Sequence, residues 1–169
     1  MSSRWWALTK TLLFAVVVPG AVAVYIPSTL LGRPLDLRPA DAIGFIGLVL
    51  VAFGICLLCF CLWNFALVGL GTPAPFDPPK RLVMRGPYRW TRNPMYVGMI
   101  SILVGEAVME RSVVLAEYAV VVLIGFFAFV VLYEEPTLRA KFGAAYDEYR
   151  ERVPRWIGIR RVRMAARRA

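Results

Sequence analysis

Apolar positions in this chain gather into four blocks separated by short polar or proline-rich connections. Residues 43–76 contain no Asp, Glu, Lys or Arg. A hydrocarbon core of about 30 Å needs about 20 helical residues, so 43–70 can span it with length to spare. Residues 12–26 form a second block, extendable from Leu8 across Lys10 and interrupted by Pro19-Gly20. Residues 112–133 form a third, broken only by Glu117. The block 95–109 is shorter and carries Glu106; at 1.5 Å per residue it reaches about 22 Å, which requires tilt or local thinning of the bilayer. The pattern predicts helices over about 8–26, 43–70, 95–109 and 112–133.

Charge decides whether the short block crosses. With four crossings, the amino terminus, the 71–94 loop and the carboxyl tail share one side and hold 17 of the 20 Lys and Arg residues. The opposite side receives Arg33, Arg38 and Arg111. The positive-inside rule assigns the rich side to the cytoplasm. The expected fold class is therefore an all-α integral membrane protein with about four transmembrane helices and both termini cytoplasmic, as in a bacterial inner (plasma) membrane. The amino end, with Arg4, Lys10, Pro19-Gly20 and Ala21-Val22-Ala23, also resembles a cleavable signal peptide. The apolar run continues to Ile26 and three more blocks follow, which favours an anchor.

Composition narrows the chemistry. The chain is 59% hydrophobic and 18% charged with net charge +9, against about 45–50% and 25% for soluble domains. It contains no histidine, which excludes a histidine-based triad, a histidine-ligated haem and a histidine general base within this chain. Cys56, Cys59 and Cys61 lack a fourth thiol or an imidazole, so they read as packing residues and no metal site is expected. Glu106 and Glu117 flank a hairpin at 109–112; both lie within two turns of an interface and can snorkel to water, so a structural role is preferred.

The densest chemistry lies in residues 85–98 and 134–143. Gly86-Pro87 marks a turn, Asn93 a helix N-cap and Pro94 a first helical position. The amides that follow form an anion-binding end, reinforced by Arg85, Arg89 and Arg92. Glu134 and Glu135 close an apolar run, and Pro136 is expected to break the helix there. The hairpin between the two stretches is short, so they should meet on the cytoplasmic face. Arginines opposite two carboxylates, with Tyr88, Trp90 and Tyr96 interleaved, suit a zwitterionic ligand with a planar ring. They also suit a membrane border of phosphate-binding arginines and interfacial aromatics. The proline-bracketed turns favour a site.

Leu138, Phe142, Tyr146, Tyr149 and Val153 recur at spacings of three and four. They predict an amphipathic helix over 137–153 that lies on the cytoplasmic interface or folds over the hairpin. Trp156 reads as a membrane anchor. The tail 160–168 carries five arginines and is expected to contact anionic lipid rather than nucleic acid.

The stretches GPYRWTRNPMYVG from Gly86 and EEPTLRAKFGAAYDEYRERVPRW from Glu134 resemble the isoprenylcysteine carboxyl methyltransferase family and its phospholipid methyltransferase relatives. The resemblance covers residues 80–157, about half of one membrane domain spanning 1–169. It implies S-adenosylmethionine as cofactor, held at Tyr88, Arg92, Asn93, Pro94, Tyr96, Gly98, Glu134 and Glu135. It also implies a lipid-like or prenylated acceptor, with carboxyl O-methyl transfer favoured over phospholipid amine N-methylation or a non-catalytic scaffold. Arg92, Glu135 and Arg155 are the catalytic candidates, with Arg155 or Arg152 positioning an acidic head group. Asn93 stands where the family motif has histidine, and 130–133 lacks an arginine that many members place before the paired glutamates. Both departures bear on substrate identity. The methyl of a sulfonium is already activated, so a histidine-free site can serve if it aligns the attack and excludes water.

Overall fold

The computed structural model describes residues 17–64, 82 and 84–156. The described elements are helical: α1 (Val17–Leu31), α2 (Ala42–Asn64), α3 (Pro94–Glu110), α4 (Val113–Phe142) and α5 (Ala144–Arg152), with a single 3₁₀ turn at Gly86–Arg89. The amino-terminal residues with their signal-like pattern, the 65–70 extension, the 72–79 proline strap and the 160–168 tail lie outside the described residues.

Two helices, α2 and α4, are long and apolar enough to cross a membrane. Only 28% and 17% of their most apolar stretches are buried within the protein. Phe53, Phe60, Val121, Ile124 and Leu132 face outward. A soluble core would bury such side chains, whereas hydrocarbon solvates them and leaves the helix to satisfy its own backbone. These two helices mark a membrane protein.

α2 and α3 run antiparallel with their backbones in close approach, because glycines recur every seven residues on the facing sides. A Cβ on Gly47 would lie 2.7 Å from the Gly105 carbonyl oxygen, and one on Gly105 would lie 2.6 Å from that of Gly47. Gly54 and Gly98 form the same arrangement one repeat along. Small residues permit such contact where no hydrophobic effect drives helices together. α3 then turns into α4 through two residues. Arg111 adopts a left-handed conformation (φ 49°), and the Ser112 and Arg111 amides close onto the carbonyls of Ala107 and Val108 at 3.1 and 3.3 Å, a Schellman ending. Ser112 Oγ accepts the Leu115 amide and caps α4.

The connection before α2 clamps this hairpin. Arg33 pairs with Glu110, the Asp36 amide donates to Glu110 Oε1 at 2.6 Å, and Arg111 pairs with Asp41. Asp41 Oδ1 accepts the Gly44 amide at 2.9 Å and starts α2; that bond and Arg111 hold its carboxyl below the usual carboxylate range. Glu117 is exposed, as expected. Glu106 instead is buried at 3% exposure and its Oε2 has no hydrogen-bond partner. It does not snorkel, because it stands on the bundle-facing side of α3 between Gly105 and Ala107, which are also buried.

Pro27 of α1 and Pro136 of α4 are each preceded by a π turn, at Ala21–Tyr25 and at Val130–Glu134. The residue before each proline donates five residues back, Ile26 to Ala21 and Glu135 to Val130. The helix thereby passes the missing amide without ending. The break expected at Pro136 is thus a change of winding, and α4 continues to Phe142. Near Pro27 the neighbouring helix supplies a donor: Tyr118 Oη donates to the Val22 carbonyl at 2.9 Å. The chain does break at Gly143, whose φ of +54° favours glycine, so the stretch expected as one helix over 137–153 is two segments meeting there.

Candidate functional site

The two motif stretches meet. The Arg92 amide donates to the Pro154 carbonyl at 2.9 Å. Thr91 Oγ1 and Asn93 Nδ2 both donate to the Arg155 carbonyl, at 3.0 and 2.9 Å. Tyr149 Oη donates to the Tyr88 carbonyl at 2.7 Å. Tyr146, Tyr149 and Val153 are buried together, with Leu82, Leu138 and Phe142 packed around them. The amphipathic stripe therefore faces inward, folding α5 over the base of the α3–α4 hairpin. Burial pushes the Tyr88 and Tyr149 phenols up from the ordinary tyrosine range, so neither is a base at neutral pH.

Asn93 occupies the N-cap position of α3 and Pro94 the first helical position, but the Asn93 side chain makes no capping bond. Its amide is turned to the Arg155 carbonyl instead. The first-turn amides of α3 are therefore left without a side-chain cap at a helix end suited to an anion.

The adjacent glutamates part company. Glu135 is buried and accepts a bidentate pair from Arg155, Nε to Oε1 at 2.8 Å and Nη2 to Oε2 at 2.9 Å. Arg92 Nη1 lies 2.9 Å from Glu135 Oε1, an ion pair set at an angle outside hydrogen-bond geometry. The Glu135 bond raises the Arg155 guanidinium above its ordinary value, so it remains charged. Arg155 also lies 5.8 Å over the Phe127 ring. Glu134 takes its hydrogen bond from a neutral donor, Tyr96 Oη at 2.8 Å.

A cavity of about 650 Å³, counting its open mouth, lies against this cluster. Its walls are Val18 and Pro19 of α1, Leu58 of α2, Pro94, Met95, Tyr96 and Met99 of α3, and Phe126 and Glu134 of α4. Tyr88, Arg92 and Asn93 complete it from the connecting loop. The Arg92 side chain is 10% exposed, and its Nε has no hydrogen-bond partner. The cavity is thus lined by a buried guanidinium and by a carboxylate with which no described residue forms an ion pair, set in apolar walls.

Of the residues expected at a cofactor site, Tyr88, Arg92, Asn93, Pro94, Tyr96 and Glu134 line the cavity. Gly98 lies elsewhere, where a Cβ would come within 3.0 Å of the Gly54 carbonyl oxygen. Glu135 and Arg155 sit behind Arg92 as its support. Arg152 pairs with Glu148 on the exposed side of α5. Trp156, expected as a membrane anchor, packs against Phe127 and Tyr96 at centroid distances of 6.4 and 6.5 Å. Sequence reasoning missed Leu58, Met95, Met99 and Phe126, because apolar letters inside apolar helices carry no mark of a cavity wall. Thr91 had a legible signal as a hydroxyl two residues before the Asn-Pro pair.

The phospholipid methyltransferase family model matches residues 43–145. Protein-S-isoprenylcysteine O-methyltransferase B of Arabidopsis thaliana is 40% identical over 74 residues, 44% of this chain and 38% of that protein. Its A counterpart is 43% identical over 78 residues, 46% of this chain and 40% of that protein. A probable protein-S-isoprenylcysteine O-methyltransferase of Oryza sativa subsp. indica is 35% identical over 78 residues, 46% and 41% respectively. The match spans about two fifths of the length of these relatives, and no solved structure matches the chain. Because the family model covers more than half of the sequence, and takes in Arg92, the α3–α4 hairpin and both glutamates, the chain belongs to the phospholipid methyltransferase family.

Proposed function

We propose that this chain is an integral-membrane methyltransferase that uses S-adenosylmethionine and acts on a lipid-like or prenylated small substrate, with carboxyl O-methyl transfer favoured. One observation carries the reading: Arg92, whose buried Nε has no hydrogen-bond partner, lines the same cavity as Glu134, whose hydrogen-bond partner among the described residues is the neutral Tyr96 hydroxyl. A zwitterionic amino acid matches that pair. Arg92 and the uncapped amides of α3 would hold a carboxylate, and Glu134 an ammonium. The cofactor supplies a methyl group already activated on a sulfonium. The remaining work falls to the chain's own residues. Met95, Met99 and Phe126 exclude water, Glu135 and Arg155 hold Arg92 in place, and Tyr96 orients Glu134. A carboxylate acceptor needs no general base, which suits a chain without histidine.

The four helices alternate in direction, with the start of α1, the start of α3 and the end of α4 at the cavity. This favours four crossings with the cavity at the cytoplasmic face, as the 17-to-3 split of cations suggests. Residues 80–157 would form the cofactor-binding region of a single membrane domain, and the basic tail would contact anionic lipid. The family's name favours a second reading, N-methylation of a phospholipid amine.

Isothermal titration of the purified protein with S-adenosylhomocysteine tests the site. Binding by the wild type that is lost in Arg92→Gln and in Glu134→Gln is expected; no binding, or binding untouched by both changes, overturns it. Labelled methyl transfer into a prenylcysteine analogue or into a phospholipid extract separates the acceptors, and transfer into neither supports a scaffold.

A further inference from the structure

Two adjacent residues beyond α5 lead to the two charged walls of the cavity. The Arg155 guanidinium grips Glu135, which in turn pairs with Arg92. The Trp156 indole leads to the other wall. It meets the edge of the Tyr96 ring at a centroid distance of 6.5 Å and stacks on Phe127 with planes 21° apart. Tyr96 also packs on Phe126, with 4.7 Å between centroids, and its hydroxyl donates to Glu134 Oε2 at 2.8 Å. The segment that carries the indole is fixed, since the Pro154 carbonyl receives the Arg92 amide and the Arg155 carbonyl receives Thr91 and Asn93. Tyr96 and Glu134 line the cavity and Trp156 does not, so the indole reaches the site through the Tyr96 ring.

We propose that Trp156 is a positioning residue for the ammonium-binding carboxylate of the site. The indole fixes the tilt of the Tyr96 ring, and the Tyr96 hydroxyl holds Glu134 where the amino group of the cofactor is received. The role rests on the methyl-transfer reading above. A phenol hydroxyl lies at the far end of its ring, so a ring free to tilt carries the donor away from its acceptor. Edge and stacked ring contacts are directional, and they restrain a neighbour only when they are themselves held. Phe127 meets the face of the indole and also lies 5.8 Å from the Arg155 guanidinium, so the indole is fixed by its ring as well as by its backbone. Glu134 needs such restraint more than Glu135 does. Two arginines clasp Glu135, whereas the hydrogen-bond partner of Glu134 among the described residues is the Tyr96 hydroxyl. A binding group must stay within about 0.5 Å of its productive place, and a single neutral hydrogen bond achieves that only if its donor cannot move. One dipeptide thus serves both charges of a zwitterion. Arg155 acts through Glu135 on Arg92 for the carboxylate, and Trp156 acts through Tyr96 on Glu134 for the ammonium.

The test is isothermal titration of the full chain in detergent with S-adenosylhomocysteine, its deamino analogue and its decarboxylated analogue. The wild type should prefer S-adenosylhomocysteine to the deamino analogue by about tenfold, the scale of a hydrogen bond to a charged group. Trp156→Ala should bring that ratio toward unity while keeping the preference over the decarboxylated analogue, and Trp156→Phe should restore most of it. Tyr96→Phe should lower the same ratio, and the Tyr96→Phe, Trp156→Ala double variant should be no worse than either, because both changes act on one hydroxyl. A ratio unchanged in Trp156→Ala overturns the proposal. So does an equal loss of both preferences, which a merely structural role would give. Should Trp156→Ala fail to fold, Phe127→Leu removes the ring on which the indole stacks and leaves the cavity lining in place. It should lower the amino-group preference, and a ratio equal to that of the wild type overturns the role of the indole. No binding of S-adenosylhomocysteine by the wild type sinks the methyltransferase assignment itself. Binding with an amino-group preference that Trp156→Ala leaves intact sinks only the role of Trp156.

Discussion

Replacing Glu135 by glutamine keeps the shape of the side chain and removes the charge that two arginines share. The Arg92 side chain is 10% exposed and that of Arg155 30%, so the loss falls mainly on Arg92, which would keep a buried positive charge without an anion. Removing one partner of a buried pair costs about 3–5 kcal/mol. Partial access of water to Arg155 screens its share, which places the expected loss near the lower end, about 3 kcal/mol. The measurement is equilibrium unfolding in mixed micelles, monitored by the tryptophan fluorescence of wild type, Glu135→Gln, Arg92→Met and the double variant. The double variant should be less destabilised than the sum of the single changes, with a coupling of at least about 1 kcal/mol for groups in contact. A Glu135→Gln protein as stable as the wild type, or strictly additive changes, would show that the pair does not organise the site. S-adenosylhomocysteine affinity should fall along with stability, because the same pair aims Arg92 at the cavity.

Gly105→Val should loosen the α2–α3 contact by about 1–3 kcal/mol through overpacking, whereas Gly125→Ala, with open space around its Cβ position, should be neutral or slightly stabilising; unfolding of both in one detergent reads the contrast. Tyr149→Phe leaves the Tyr88 carbonyl without its hydroxyl donor and should cost about 1–2 kcal/mol, seen as faster proteolysis of the α5 segment than of the hairpin. Tyr118→Phe removes the donor to Val22 and should cost about 0.6 kcal/mol, the usual scale for hydrogen bonds between membrane helices. A loss several times larger would mean that Tyr118 has a further role.

Hydropathy located the helices because a bilayer selects for one property over some twenty residues, and any chain that satisfies it shows the pattern. The meeting of the 85–98 and 134–156 stretches was legible for a similar reason: a two-residue hairpin brings the start of α3 beside the end of α4. Finer features were hidden where one letter has two uses. Asn93 reads as a cap, yet Arg155 offers a carbonyl that competes for its amide. Trp156 reads as an interfacial anchor, yet Tyr96 of α3 and Phe127 of α4 present two aromatic rings to it. Glu134 and Glu135 are adjacent and chemically identical, and only the tertiary positions of Tyr96, Arg92 and Arg155 distinguish them. The glycine pairs 47/54 and 98/105 are visible as sevenfold repeats, but their partnership requires knowing that the helices run antiparallel.

The π turn before Pro136 explains how those two glutamates acquire separate environments. Along α4 the inward positions are Leu115, Ala119, Val122, Phe126 and Val130, at steps of three and four, followed by Glu135, Leu138 and Phe142. The step from Val130 to Glu135 is five residues, and it coincides with the turn in which the Glu135 amide reaches back to Val130. In an unbroken α-helix the next inward position would be Glu134, and Glu135 would stand about 100° further round. The extra residue therefore carries Glu135 onto the inward stripe facing Arg92 and leaves Glu134 beside the cavity, within reach of Tyr96. Pro136 removes the amide that regular winding would use and so stabilises the wider turn at this place. A helix-breaking residue in an otherwise apolar span thus has a positional meaning: it determines which of two identical carboxylates faces the arginines and which lines the cavity.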